Sequence, residues 1–240
     1  MIASDQPTIF PSSLRAAVSS RSDGNMKFGL AAPHEVRANR QKFLIEASID
    51  PANTTLVAIT YDTDDFAKYR VVSEHDKSVG MTGSEGVVHA DALVVDQPNH
   101  ALFLPLADCV GAVFYDPIRA VLMVSHLGRH SVEIFGGAKS VEYLVTNHAV
   151  HPEDLLVWLS PAVGSATYPL HAFNNKSLHE VITEQLIGAG VLKDHIEMSM
   201  VNTATSEEYF SHSEFLKGRR SEQGRFAIVA MMTEQGEPAI

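Results

Sequence analysis

The 240-residue chain holds one cysteine, Cys109, placed directly after Asp108 in the run "LFLPLADCVGAVFYDPIRAVLMVSH", which ends on His126. Taken singly, such residues in apolar segments are most often packing residues: a Cys as a small buried hydrophobe, a His held by one hydrogen bond. Taken together they could do chemistry. Asp116 followed by Pro117 has the composition of a type I turn. An antiparallel hairpin centred between residues 117 and 118 sets Cys109 directly across from His126, with Cβ atoms about 4.5–5.5 Å apart. A thiolate beside imidazoles suits Zn²⁺ with one position open for water. The same pair without metal is a nucleophile and its base. Asp108 is then a candidate acid/base, or a residue that orients its neighbours.

The elements that would position these groups can be read from hydrophobic pattern. "ADALVVD", "ALFLPLA", "VGAVFYD", "AVLMVSH" and "LLVWLSP" are short apolar runs bounded by turn residues, and they read as strands. "KFGLAA", "TTLVAITY", "YRVVSEH", "HIEMSMV" and "RFAIVAMM" are further strand candidates. Val36, Phe43 and Leu44 recur at helical spacing in "HEVRANRQKFLIEA". A second helix is expected from about Ser131 to His148, weakened by Gly136-Gly137. A third lies in "NNKSLHEVITEQLIGAG", capped by Asn174 or Asn175 and closed by Gly188 or Gly190. The mixed order predicts an α+β fold of mixed β-sheets layered with helices, as a single domain over residues 1–240.

Composition narrows the partners. With 18 basic against 29 acidic residues the formal net charge is −11, which disfavours nucleic acid and anionic membrane surfaces. A small anion held by a few arginines remains compatible. The N-terminal segment lacks a basic region followed by an apolar one, and one cysteine makes no internal disulfide, so a cytoplasmic location is expected.

Several segments, in order along nearly the whole chain, resemble the YfiH-like family, known also as laccase-domain or polyphenol oxidase proteins. "VSSRSDGN" and "VRANR" are similar to that family's "TTRxGG" and "V..NR". "SEHDKSV" with His75 is similar to "QVHG", and "ADALVV" from Ala90 to "ADALVT". "LADCVG" resembles "TADCVP", "SHLGRHS" resembles "HAGWRG", "SPAVG" resembles "GPAIG", and "YFSHSEFLKGRRSEQGR" resembles "FFSYRRDG.TGR". The resemblance implies a Zn²⁺ site made by His75, Cys109 and His126, with copper as the alternative metal. It implies an enzyme acting on purine nucleosides, by phosphorolysis of adenosine, inosine or methylthioadenosine, by adenosine deamination, or by both. Purine nucleoside and phosphate are then the small-molecule partners.

The departures fall on the substrate side. Arg129 stands where the family has Trp, and His130 where it has the Arg that suits phosphate. Arg129, His130 and Arg225 are the candidate substrate-binding residues, with Arg219 and Arg220 in the extended loop as possible substitutes. Gly111 replaces the Pro of "DCVP", and Ser160 the first Gly of "GPAIG". Three further readings therefore stand beside the nucleoside enzyme: a metal-free hydrolase using Cys109 and His126, a copper polyphenol oxidase, and a non-catalytic relative that binds a ligand.

Overall fold

A computed structural model describes residues 3–61, 64–83, 86–87 and 89–234. In chain order the elements are β1 (Leu14–Val18), α1 (Pro33–Glu46), β2 (Thr54–Leu56), β3 (Tyr69–Val71), β4 (Ala92–Val95), β5 (Ala101–Leu106), β6 (Val110–Asp116) and β7 (Val121–Leu127). There follow α2 (Arg129–Glu133), α3 (Gly136–His148), β8 (Leu156–Leu159), α4 (Leu178–Gly188), β9 (Ile196–Met198), α5 (His212–Leu216) and β10 (Phe226–Met232). The α+β expectation holds, with two mixed sheets ordered β1-β10-β5-β2 and β3-β4-β7-β6-β8-β9.

Why these runs became a layered fold follows from strand alternation, which sends successive side chains to opposite faces. Leu102, Leu104, Phe226 and Ile228 of the smaller sheet pack against Leu93, Val113, Tyr115 and Trp158 of the larger one. The alternate residues Phe103, Ala227 and Val229 turn outward and are covered by Phe43 and Leu44 of α1. On the far side Val94, Ala112, Phe114 and Met123 meet Val141 and Leu144 of α3 and Val181, Ile182 and Leu186 of α4. Four layers result: helix, sheet, sheet, helices. Both faces of the central strands are buried: β6, β7 and β10 are buried throughout and almost wholly apolar, Asp116, Ser125 and His126 being the polar exceptions. Full burial of each large side chain there stabilises by about 1.5–3 kcal/mol.

Several local expectations need correction. "KFGLAA" forms turns and bends instead of a strand. The helix expected over 131–148 is two, α2 and α3, broken at Phe135, whose φ of 63° is left-handed. Gly136 permits the break, because a Cβ there would collide with Ser131. Helix α4 is capped by Ser177, not by an asparagine: its Oγ accepts from Glu180 N at 3.3 Å, and the Glu180 carboxylate accepts from Ser177 N at 2.7 Å. Asn174 and Asn175 instead take left-handed turn conformations just upstream.

The β6–β7 register also differs from the expectation. Gly111, not Cys109, lies opposite His126, and Asp116 lies opposite Val121. The connecting loop is Pro117 to Ala120, closed by Asp116 Oδ1 accepting from Ile118 N at 2.8 Å and Arg119 N at 3.0 Å. The slip is two residues, so the facing of side chains is preserved.

Candidate active site

Continuing that register past β6 brings Cys109 alongside Gly128, and this meeting builds the site. An added Cβ on Gly128 would sit 3.1 Å from Cys109 Sγ and 3.0 Å from His126 Cε1. Glycine here leaves thiol and imidazole side by side, as the sequence predicts, though diagonally instead of directly opposed. No hydrogen bond joins them among the described residues. His126 is fixed through its backbone, its N–H donating to the Asp91 carbonyl at 2.8 Å where β7 leaves β4.

Asp108 occupies the left-handed region at φ 75°. Its carboxylate is spoken for: Oδ1 accepts from Thr203 Oγ1 at 2.7 Å and Oδ2 from Ser213 N at 2.6 Å. The carbonyl of Asp108 accepts from Val163 N at 3.0 Å. This residue ties three segments to the turn that presents Cys109, which is a positioning role more than an acid/base one.

Cys109 and His126 open on a cavity of about 560 Å³, a size ordinary for small-molecule sites. Arg129, His130 and Arg225 also line it, so the structure gathers all three candidate substrate residues at one place. The Arg129 guanidinium lies over the Tyr168 ring at 4.4 Å. His130 stacks on Phe66 with ring centroids 4.7 Å apart and planes 19° from parallel. Arg219 and Arg220 do not reach the cavity. Arg219 pairs with the Glu214 carboxylate, and Arg220 donates to the carbonyls of Thr203, Ala204, Ser206 and Tyr209, bracing the loop from outside.

Burial dominates the electrostatics. It pushes the Cys109 thiol up to about 12, aided by the Asp108 carboxylate and opposed by Arg225. The His126 imidazole is pulled down to about 4 by burial and then by Lys27. Both shifts favour the uncharged forms, a thiol beside a neutral ring. Asp91, buried and lining the cavity, is raised by burial.

His75 stands apart from this group. It is exposed on a single 3₁₀ turn, Glu74–Asp76, and does not line the cavity. Cys109 and His126 offer donors that zinc accepts, but among the described residues no three His, Cys, Asp or Glu side chains converge closely enough to hold a metal ion. The expected set of His75, Cys109 and His126 therefore does not fit a metal in this structure. Copper meets the same obstacle: His89, His130 and His212 line the cavity without closing around His126.

Sequence reasoning missed Lys27, Phe66, His89, Asp91, Tyr168 and His212, all of them cavity residues. Asp91 lies inside the "ADALVV" motif and carried that signal unassigned. Phe66 and Tyr168 sit in irregular segments where no periodicity could point to them.

Comparison with known proteins places the chain. In solved structures, the Bacillus licheniformis hypothetical protein YfiH superposes with a TM-score of 0.82 at 22% identity, covering 92% of this chain and 93% of that one. YlmD from Geobacillus stearothermophilus gives 0.81 at 21% identity, covering 93% of each. At these identities the likeness shows the fold. Among sequence relatives, the purine nucleoside phosphorylase LACC1 of Mus musculus is 26% identical over 113 residues, 47% of this chain and 26% of that protein. The purine nucleoside phosphorylase YlmD of Bacillus subtilis (strain 168) is 26% identical over 98 residues, 40% of this chain and 35% of that protein. The matched region thus spans about a quarter to a third of the curated relatives' length. A family model described as multi-copper polyphenol oxidoreductase laccase matches residues 18–176, more than half of the chain, and the chain belongs to that family.

Proposed function

We propose that the chain is a purine nucleoside phosphorylase-type enzyme working in the Cys109–His126 cavity. The observation that carries the reading is that one cavity combines flat ring faces, free-standing cations and a protonated thiol beside a neutral imidazole. The names of the relatives agree with it. Phosphorolysis needs those three provisions. A phosphate oxygen bonds to the ribose C1′, the bond from C1′ to the base nitrogen breaks, and its electron pair leaves with the purine, which takes up a proton. Phe66, Tyr61 and Tyr168 offer faces on which a purine can stack. Arg129 and Arg225 supply the charge that an oxyanion requires. The Cys109 thiol, pushed up to about 12 by burial, is a group that can hold a proton for the departing base, and the Asp91 carboxylate lines the same cavity.

The purified full chain should convert adenosine, inosine or methylthioadenosine to free base and ribose 1-phosphate only when phosphate is present, as resolved by chromatography. The assay is run as purified and with added Zn²⁺. Base release that ignores phosphate, conversion of adenosine to inosine alone, or no turnover of any of the three in either condition would overturn the reading.

A further inference from the structure

We propose that Lys27 and Arg225 form a two-cation seat for a phosphate group on the cavity wall, built by the side chain of Asn25. Asn25 is buried and bridges chain segments nearly two hundred residues apart. Its Oδ1 accepts from Arg225 N at 2.9 Å and from Lys27 N at 3.2 Å, while its Nδ2 donates to the Lys27 carbonyl at 2.7 Å. Met26 N donates to the Arg225 carbonyl at 2.9 Å, closing the join. Both cations line the cavity beside Cys109. Among the described residues neither forms an ion pair, and the Arg225 guanidinium has one hydrogen bond, to the Gly224 carbonyl at 2.8 Å.

Two cations held side by side repel each other; neither is in an ion pair among the described residues, and only Arg225 feels an acid of the cavity, Asp108, whose carboxylate is already held by Thr203 and Ser213. The neighbourhood is close enough that Arg225 lowers the pKa of Lys27, after burial. In a chain with 29 acidic residues, acidic partners are not scarce. An arrangement rigidly built to keep two cations together and facing a cavity is completed by a multiply charged anion. A phosphate group matches it: Arg can take two of its oxygens in a fork and Lys a third as a point charge. Arg129, held over Tyr168, stands on the same cavity but is not part of this backbone join.

This inference rests on the reading that the cavity takes a nucleoside, and it is tested separately from turnover. Calorimetric titration of the full chain uses three probes: inorganic phosphate, adenosine and adenosine 5′-monophosphate. The variants are Lys27→Gln, Arg225→Gln and Lys27→Arg, with Lys42→Gln on an exposed helix face as a control for net charge. Melting curves confirm folding. Lys27→Gln and Arg225→Gln should each weaken binding of the phosphate-bearing probe by about tenfold or more. Lys27→Arg and Lys42→Gln should bind as wild type, and adenosine affinity should hold throughout. Loss seen with inorganic phosphate identifies a co-substrate seat; loss seen only with the monophosphate identifies a phosphate carried by the nucleoside. Wild-type protein that binds neither, or Gln variants that bind both unchanged, overturns the seat. A chain that binds phosphate through Lys27 yet cleaves no nucleoside overturns the phosphorylase and leaves the seat standing.

Discussion

Gly111 and Ser160 each depart from the motifs this chain resembles, and they depart toward each other. Where the family's proline has no N–H, Gly111 N donates to Ser160 Oγ at 2.9 Å, and the family's glycine at the second position has no hydroxyl to accept. Ser160 is fully buried, so the exchange lies inside the wall that carries Cys109. Removing the hydroxyl orphans a buried N–H. Ser160→Ala should cost about 1–3 kcal/mol of unfolding free energy in urea; a change within error would show that the N–H finds water instead. At the same scale Gly128 matters for space, not for backbone freedom, since its φ of −88° suits any residue. The site's central pair was legible in the sequence because Cys109 and His126 are conspicuous against apolar neighbours. The placement of His75 was not: a surface turn holding it reads the same, locally, as a strand end aimed into a cavity.

At the scale of elements, apolar runs announced nearly every strand, while their connections misled. The hairpin loop closes on Ala120, at φ 52°, and alanine gives no sign that a left-handed residue will lengthen the turn by two. The single helix expected through Gly136-Gly137 divides at Phe135 for the same reason, a left-handed residue that is not glycine. Helix α3 ends on a third case, Ala149 at φ 53°, exposed, with its N–H donating to the Leu144 carbonyl. Left-handed backbone costs an L-residue about 1–2 kcal/mol that glycine is spared. Ala149→Gly should therefore raise stability by up to about 1 kcal/mol, read as a higher denaturant midpoint with unchanged slope. A lower midpoint would mean that glycine's looser unfolded chain outweighs the relieved strain.

Across the whole molecule, histidines buried or half-buried away from the cavity tie stability to pH. His100, His148 and His179 all lie below the usual 6.5, each chiefly through burial, and His179 Nε2 donates to the Ser160 carbonyl at 2.8 Å. A folded-state value below the unfolded one means that the unfolded chain binds more protons as pH falls. The stability is thus full above about pH 6.5 and is lost as pH drops through the folded-state values. Calorimetric Tm should fall from pH 7.5 to pH 5, before most carboxylates titrate; a Tm flat over that range would contradict it.

The strand order β1-β10-β5-β2 has a consequence for biosynthesis. Every other strand of the smaller sheet precedes residue 107, yet β10, which must lie between β1 and β5, begins at Phe226. A ribosome delivers β1 and β5 with no ladder between them and with both faces of β5 destined for burial. Not until β10 has emerged can the two edges be joined, so β1 and the edge of β5 turned away from β2 must wait while more than a hundred further residues are made, the interval in which chaperones and stray strand edges compete for them.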